Sequence, residues 1–217
     1  MNDTPANPPQ PENAFAALRR FTRKRPTNAE QCELCSAELG PVHPHLLETE
    51  HRQVLCSCEP CAILFSSNEA AHYRRIPRET RRLNDFSISD GQWESLMIPI
   101  NLAFFYREQA SGKTVAMYPS PAGATESLLT LEAWQEIAAQ NAAVQQMQPD
   151  VEALLVNRMG SSREYFVAPI DECFRLVGMI RLHWKGLSGG AEVWKHIQSF
   201  FDELRSRSVG RREAMRA

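Results

Sequence analysis

The sequence has no apolar run of bilayer length. Its longest, Leu96 to Tyr106, is 11 residues and is broken by Pro99 and Asn101, well short of the roughly 20 residues a membrane helix needs. Nor is there an excess of one charge. The 24 Lys+Arg against 26 Asp+Glu leave a net −2, so no global field draws the chain to nucleic acid or to an anionic membrane. Met1 to Pro11 is polar and holds four prolines, without the basic-then-apolar order of an export signal. These absences predict a soluble, cytoplasmic protein with no membrane span. With 43% hydrophobic residues over 217 positions, the chain can bury a core of ordinary size.

Familiar catalytic signatures are missing too. Gly112-Lys113-Thr114 ends like a phosphate-binding loop, but Arg107 stands where the leading glycine is required. Ser120 lacks the glycine context of a nucleophile elbow. Asp150, Glu152, Asp171 and Glu172 flank two expected strands, yet nothing in their spacing makes a catalytic pair. Cys173 reads as a core cysteine, and His183 and His196 as structural residues on separate helices. The expectation is a protein that is not an enzyme.

What the sequence does have is a cysteine cluster. Five of its six cysteines, Cys32, Cys35, Cys56, Cys58 and Cys61, fall within thirty residues. In a reducing compartment such clustering points to a metal more than to disulfides. Cys32-x2-Cys35 is followed, after 22 intervening residues, by Cys58-x2-Cys61. Each pair brackets a tight turn, so the two turns together can present four thiolates to one tetrahedral ion. Ser36 stands where many such knuckles have glycine. Arg52 to Leu55 reads as a strand, and Pro60 suits the first turn of a helix through Phe65. Knuckle, hairpin and helix start form the order of a treble-clef finger.

Cys58 is the preferred ligand over Cys56 because it keeps the two-residue spacing. Cys56 then reads as a small buried hydrophobe, or as a substitute or redox-active ligand. His43, His45 and His51 read as surface residues of the hairpin, with His45 a minor ligand candidate. Four protein ligands close the coordination shell, so the expected role is structural. The expected ion is zinc, with a single iron as the alternative.

The remainder reads as α+β. Residues 1–27 are expected to be a disordered tail with a short helix over Glu12 to Lys24, 28–75 the metal module, 76–88 a basic linker, 89–206 the main domain and 207–217 a basic tail. In the main domain, Ser89 with Gln92 fits a capping box. Strands are expected at Ile98–Arg107, Thr114–Tyr118, Val151–Asn157 and Tyr165–Ile170. Thr130 and Asp171 are expected to cap two helices. Val193, Ile197, Phe200, Phe201 and Leu204 mark the clearest helix. About four antiparallel strands with helices on one face give a two-layer domain.

Charge is segregated along the chain. Arg74, Arg75, Arg78, Arg81 and Arg82 face Glu79 alone, whereas residues 83–172 hold twelve acidic and four basic side chains. Zinc beside arginine makes nucleic-acid binding an alternative function, although aromatic residues there are sparse. Tyr118 to Ser127 is the most distinctive loop. Its Pro119, Ser120, Pro121, Gly123, Thr125 and Glu126 are candidates for contact with a ligand or protein partner.

Several phrases, in order, carry a resemblance: Cys-x2-Cys with Cys-x-Cys-x2-Cys, Trp93-Glu94-Ser95-Leu96 with Ile98-Pro99, Tyr118 to Ser127, Pro149 to Leu155, and Trp184-x-Gly186-Leu187-Ser188-Gly189-Gly190. Over about residues 28 to 206 the chain resembles an uncharacterised bacterial family encoded beside nickel–iron hydrogenase subunits and their maturation factors. The resemblance implies an accessory role in hydrogenase assembly, maturation or electron delivery, with a hydrogenase subunit or maturation factor as partner. It assigns no catalytic residue.

Overall fold

The computed structural model describes residues 30–67, 72–127, 131–186 and 189–210. The helix expected over Glu12 to Lys24 and the Thr130 cap lie outside the described residues.

Three short strands, β1 (His45–Glu48), β2 (Gln53–Cys56) and β3 (Tyr73–Arg75), make an antiparallel sheet in the order β2-β1-β3. Helix α1 (Glu59–Phe65) follows β2. The second sheet contains β4 (Arg81–Arg82), β5 (Leu102–Arg107), β6 (Thr114–Ser120), β7 (Gly123–Glu126), β8 (Glu152–Asn157), β9 (Glu164–Pro169) and β10 (Val209–Gly210). Its order is β10-β4-β9-β8-β5-β6-β7. Only β10 runs parallel to its neighbour; the others pair antiparallel.

The α+β class holds, but the sheet is larger than the four strands expected. β4 lies in the segment read as a linker. There Arg81 and Arg82 pair with Val167 and Phe166 of β9, while their side chains meet Glu152 and Glu164. β7 lies in the segment read as a loop, because Pro121 and Ala122 make a two-residue turn between Ser120 and Gly123.

The expectation of helices on one face is corrected as well: both faces are covered. On one side, α5 (Ile170–His183) and α6 (Gly190–Arg207) pack Cys173, Leu176, Val193, Ile197 and Phe201 against Phe104, Leu155 and Phe166. On the other, α2 (Asp90–Ser95), α3 (Leu131–Ala139) and α4 (Ala142–Gln145) pack Trp93, Trp134, Ile137 and Val144 against Phe105, Leu154 and Val167. Trp134 stacks on Phe105 with ring centroids 4.5 Å apart. The reason is visible in the strands: every residue of β8 is buried, so its apolar run does not alternate. That is how a strand covered on both faces reads.

Helix starts differ in their chemistry. Ser89 and Gln92 complete the expected capping box of α2. Asp171 does not cap α5: Pro169 holds the cap position, and Asp171 sits in the first turn. Gly189 precedes α6 at φ +84°, where a Cβ would come within 2.9 Å of Val193 and 3.2 Å of the Trp184 ring. Close packing and a left-handed backbone both require glycine there.

The small sheet is joined to the large one through a shared core. Leu47 of β1 and Ile76 after β3 are buried in the same cluster as Tyr106, Ala168 and Leu176. Burying a side chain such as Leu47 fully is worth about 1.5–3 kcal/mol. Beside this contact lies Asp150, whose side chain is 5% exposed. Its carboxylate accepts from Arg52 (3.5 Å), Arg74 (3.3 Å) and the Gln109 backbone N–H (3.1 Å). Arg52 also lies 4.3 Å from the centroid of the Tyr106 ring. Removing a buried carboxylate that holds two guanidinium groups leaves uncompensated charge. Asp150→Ala is therefore expected to cost about 3 kcal/mol, the low end of the range for broken buried pairs because both arginines reach solvent. Asp150→Asn should cost less, since Asn tolerates the left-handed backbone at this position (φ +65°). Urea unfolding midpoints measure both.

Candidate metal centre

The first knuckle is shaped by its backbone. Cys32 N–H donates to Ala37 carbonyl at 2.8 Å, and Ser36 N–H to Cys32 carbonyl at 2.7 Å. The turn closes with Ser36 at φ +61°, the left-handed position at which glycine would be unstrained. Glu33 ties the two halves together: its N–H reaches Cys56 carbonyl at 2.9 Å, and its carboxylate accepts from Cys56 N–H at 2.6 Å. In the second half, Cys58 is the N-cap of α1, Pro60 lies in its first turn and Cys61 follows one position later. The sequence therefore delivers two sulfurs from a turn and two from a helix start.

These elements converge. The sulfurs of Cys32, Cys35, Cys58 and Cys61 all lie within 4.8 Å of one another, and those of Cys35 and Cys58 are 3.6 Å apart. A tetrahedral ion with metal–sulfur bonds of about 2.3 Å needs sulfurs about 3.8 Å apart. The four cysteines thus fit a single metal ion. Thiolate donors suit zinc and iron alike. Cys56 stands outside this foursome.

Ionisation in the cluster is uneven. Burial opposes it at Cys32, but the backbone N–H groups of Cys58, Cys35 and Leu34 outweigh burial and lower its pKa to about 6. At Cys35 the Ala37 N–H pulls downward, yet contact with the Cys32 and Cys58 sulfurs leaves the thiol raised. Cys61, hydrogen-bonded to Cys58 and removed from water, is pushed up to about 12. Cys32 is thus a ready thiolate beside reluctant thiols at Cys35 and Cys61.

Other sequence candidates separate. Asp150, Glu152, Asp171 and Glu172 do not form a catalytic pair. They meet Arg52 and Arg74, Arg81, His45, and Arg175 with Arg207, respectively. Cys173 is completely buried, which drives its thiol well above the usual range. His183 and His196 stack with ring centroids 3.7 Å apart.

The residues read as a partner loop divide. Pro119, Ser120 and Pro121 line an apolar cavity of about 600 Å³ together with Ile100, Tyr118, Trp184 and Trp194. Gly123, Thr125 and Glu126 belong to β7, where the Thr125 hydroxyl donates to Ser120 Oγ at 3.0 Å. The cavity itself was not legible in the sequence, although Ile98-Pro99, Tyr118-Pro119 and Trp184 stand out there as separate phrases.

Of the hairpin histidines read as surface residues, His51 is exposed (72%), whereas His43 and His45 are partly buried. Only 8% of the His43 side chain is exposed. His45 Nδ1 lies 2.6 Å from the Asp171 carboxylate, a contact that raises its pKa against the opposing effect of burial.

Metal binding must displace protons from Cys35 and Cys61, so zinc affinity should fall as pH falls from about 8 to about 6. The slope should steepen below about 6, where Cys32 also takes up a proton. Competition with a chromophoric chelator across this range measures it. Cys58→Ser should abolish tight binding, and chelation should melt residues 30–67 first, read by hydrogen exchange.

Among the described residues no helix is long and apolar enough to cross a membrane. No curated protein and no solved structure matches the chain. The family of unknown function DUF5947 matches residues 31–208, from the first knuckle to the residue after α6, and the chain belongs to that family.

Proposed function

We propose that the chain is a non-enzymatic accessory protein. In this reading a structural zinc ion on Cys32, Cys35, Cys58 and Cys61 fixes the small sheet against the larger one, and the apolar cavity receives a protein partner. The observation that carries the reading is the convergence of four sulfurs within 4.8 Å, with no ligand position to spare. Iron in the same site would make the chain a rubredoxin-like electron carrier. A pure zinc protein is colourless, whereas iron tetrathiolate absorbs visible light, so metal analysis and one spectrum separate the two.

The partner side rests on the cavity of about 600 Å³, at whose wall Trp194 is 45% and Ile100 38% exposed. An exposed tryptophan beside an apolar hollow suits a binding hot spot. The family resemblance directs attention to nickel–iron hydrogenase subunits and maturation factors as the partner.

Nucleic-acid binding is the weaker alternative. Arg74, Arg75, Arg81 and Arg82 are each paired with a carboxylate of the chain itself, on Asp150, Glu59, Glu152 and Glu164. Arginines already neutralised release few counterions on meeting phosphate.

Tagged protein in its native cells should co-purify a hydrogenase component. Trp194→Ala should weaken that capture by about 2 kcal/mol, roughly thirty-fold, without changing bound metal. Recovery of no hydrogenase component by the unaltered protein would overturn the assignment of partner.

A further inference from the structure

One cluster near the tetrathiolate group is not used by it. One ring nitrogen each of His43 and His45 and the sulfur of Cys56 lie within 4.8 Å of one another. They come from the segment leading into β1, from β1 itself and from the end of β2. The pairing of His45 with Cys56 across the hairpin places two of them opposite each other.

The hydrogen bonds around both imidazoles are informative. His43 Nδ1 lies 2.9 Å from the Gly40 carbonyl. A carbonyl only accepts, so Nδ1 carries the proton and Nε2 is left with its lone pair. That Nε2 is buried and has no hydrogen-bond partner. The His43 side chain as a whole is 8% exposed. A buried polar atom without a partner calls for an explanation such as an ion. His45 is arranged the same way, with Nδ1 held by the Asp171 carboxylate at 2.6 Å. Two histidines, each with Nδ1 anchored to an oxygen and Nε2 left over, reproduce the arrangement by which proteins orient metal-binding imidazoles.

We propose that His43 Nε2, His45 Nε2 and Cys56 Sγ form a second metal site, for a divalent transition ion of the zinc class. Two imidazoles and a thiolate match the donor preference of such ions. Bond lengths of about 2.0–2.3 Å require donors about 3.3–3.6 Å apart. The side chains must therefore draw in by up to about 1.5 Å, within reach of χ rotation at Cys56 and His45. Three protein ligands leave a fourth position open. His43 and His45 both line a cleft of about 330 Å³ whose walls include Arg78 and Arg207. The open position is thus reached by water or a small anion from that cleft. Unlike the tetrathiolate ion, this one is exchangeable.

The Asp171 carboxylate is a positioning residue, since it acts on the ion only through His45. Loss of such an outer partner typically weakens metal affinity by about 10–100-fold.

The test uses the full chain, reduced and stripped of metal, titrated with zinc and separately with cobalt(II). Two equivalents are expected, the tighter with the strong sulfur-to-cobalt absorption of a tetrathiolate and the weaker with fewer thiolate bands. His45→Gln and Cys56→Ser should each remove the weaker equivalent and leave the tetrathiolate spectrum intact. Asp171→Asn should weaken only the weaker equivalent, by the factor given above. Should Cys56→Ser unfold the hairpin, His45→Gln decides alone, because an unchanged tetrathiolate band reports that the module is folded. A single equivalent in the unaltered protein would overturn the proposal. So would two equivalents in His45→Gln, or a changed tetrathiolate spectrum in a Cys56→Ser protein whose circular dichroism shows it folded, which would place Cys56 in the first site. Failure of Cys58→Ser to affect the tighter ion would bear on the first site alone.

Discussion

Four sulfurs that must share one small volume are the constraint on which the rest of the structure depends. As thiolates they repel one another, and as thiols they give a fragment of this size little reason to fold. A cation held by all four would resolve the conflict, since it would replace protons and convert mutual repulsion into four bonds to one centre. In small zinc domains that exchange is worth on the order of 10 kcal/mol, comparable with the whole stability of a typical domain. The uneven ionisation at Cys32 and Cys61 is the same conflict seen in the sulfurs themselves.

The consequence reaches beyond the knuckles. β1 and β2 lie between the two cysteine-bearing turns, and β1 carries Leu47 into the core beneath α5 and α6. Asp150 then pins Arg52 and Arg74 to the end of the larger sheet, and Asp171 pins His45 to the start of α5. The cysteine-bearing segment is therefore set into the body of the protein. Charges segregated along the chain partly meet in space: Arg74, Arg81 and Arg82 reach Asp150, Glu152 and Glu164.

How much of this could be read in advance depended on whether the signal was local. The cysteine pairs, the capping box at Ser89 and the stripe of α6 are set by spacings of a few residues, and they stand in the structure where expected. The second helical layer was missed because its signal is an absence of alternation. Ala153-Leu154-Leu155-Val156 and Ala103-Phe104-Phe105-Tyr106 are unbroken apolar runs, which only make sense with helices on both sides. β4 and β7 were missed for different reasons. Two arginines look like a solvated linker until Glu152 and Glu164 stand opposite, and prolines on both sides of Ser120 conceal a tight hairpin. The histidine cluster was illegible because strand pairing, not spacing, brings Cys56 to His45.

The borders of the larger sheet carry a final implication. Among the described residues, one ends in β7, four residues long and preceded by Pro119 and Pro121, and the other in β10, two residues long. Unpaired strand borders are where chains add to one another and begin to aggregate, and stubs with prolines beside them offer few amide donors for such growth. Among the described residues, the larger sheet thus offers copies of this protein little free backbone with which to zip together.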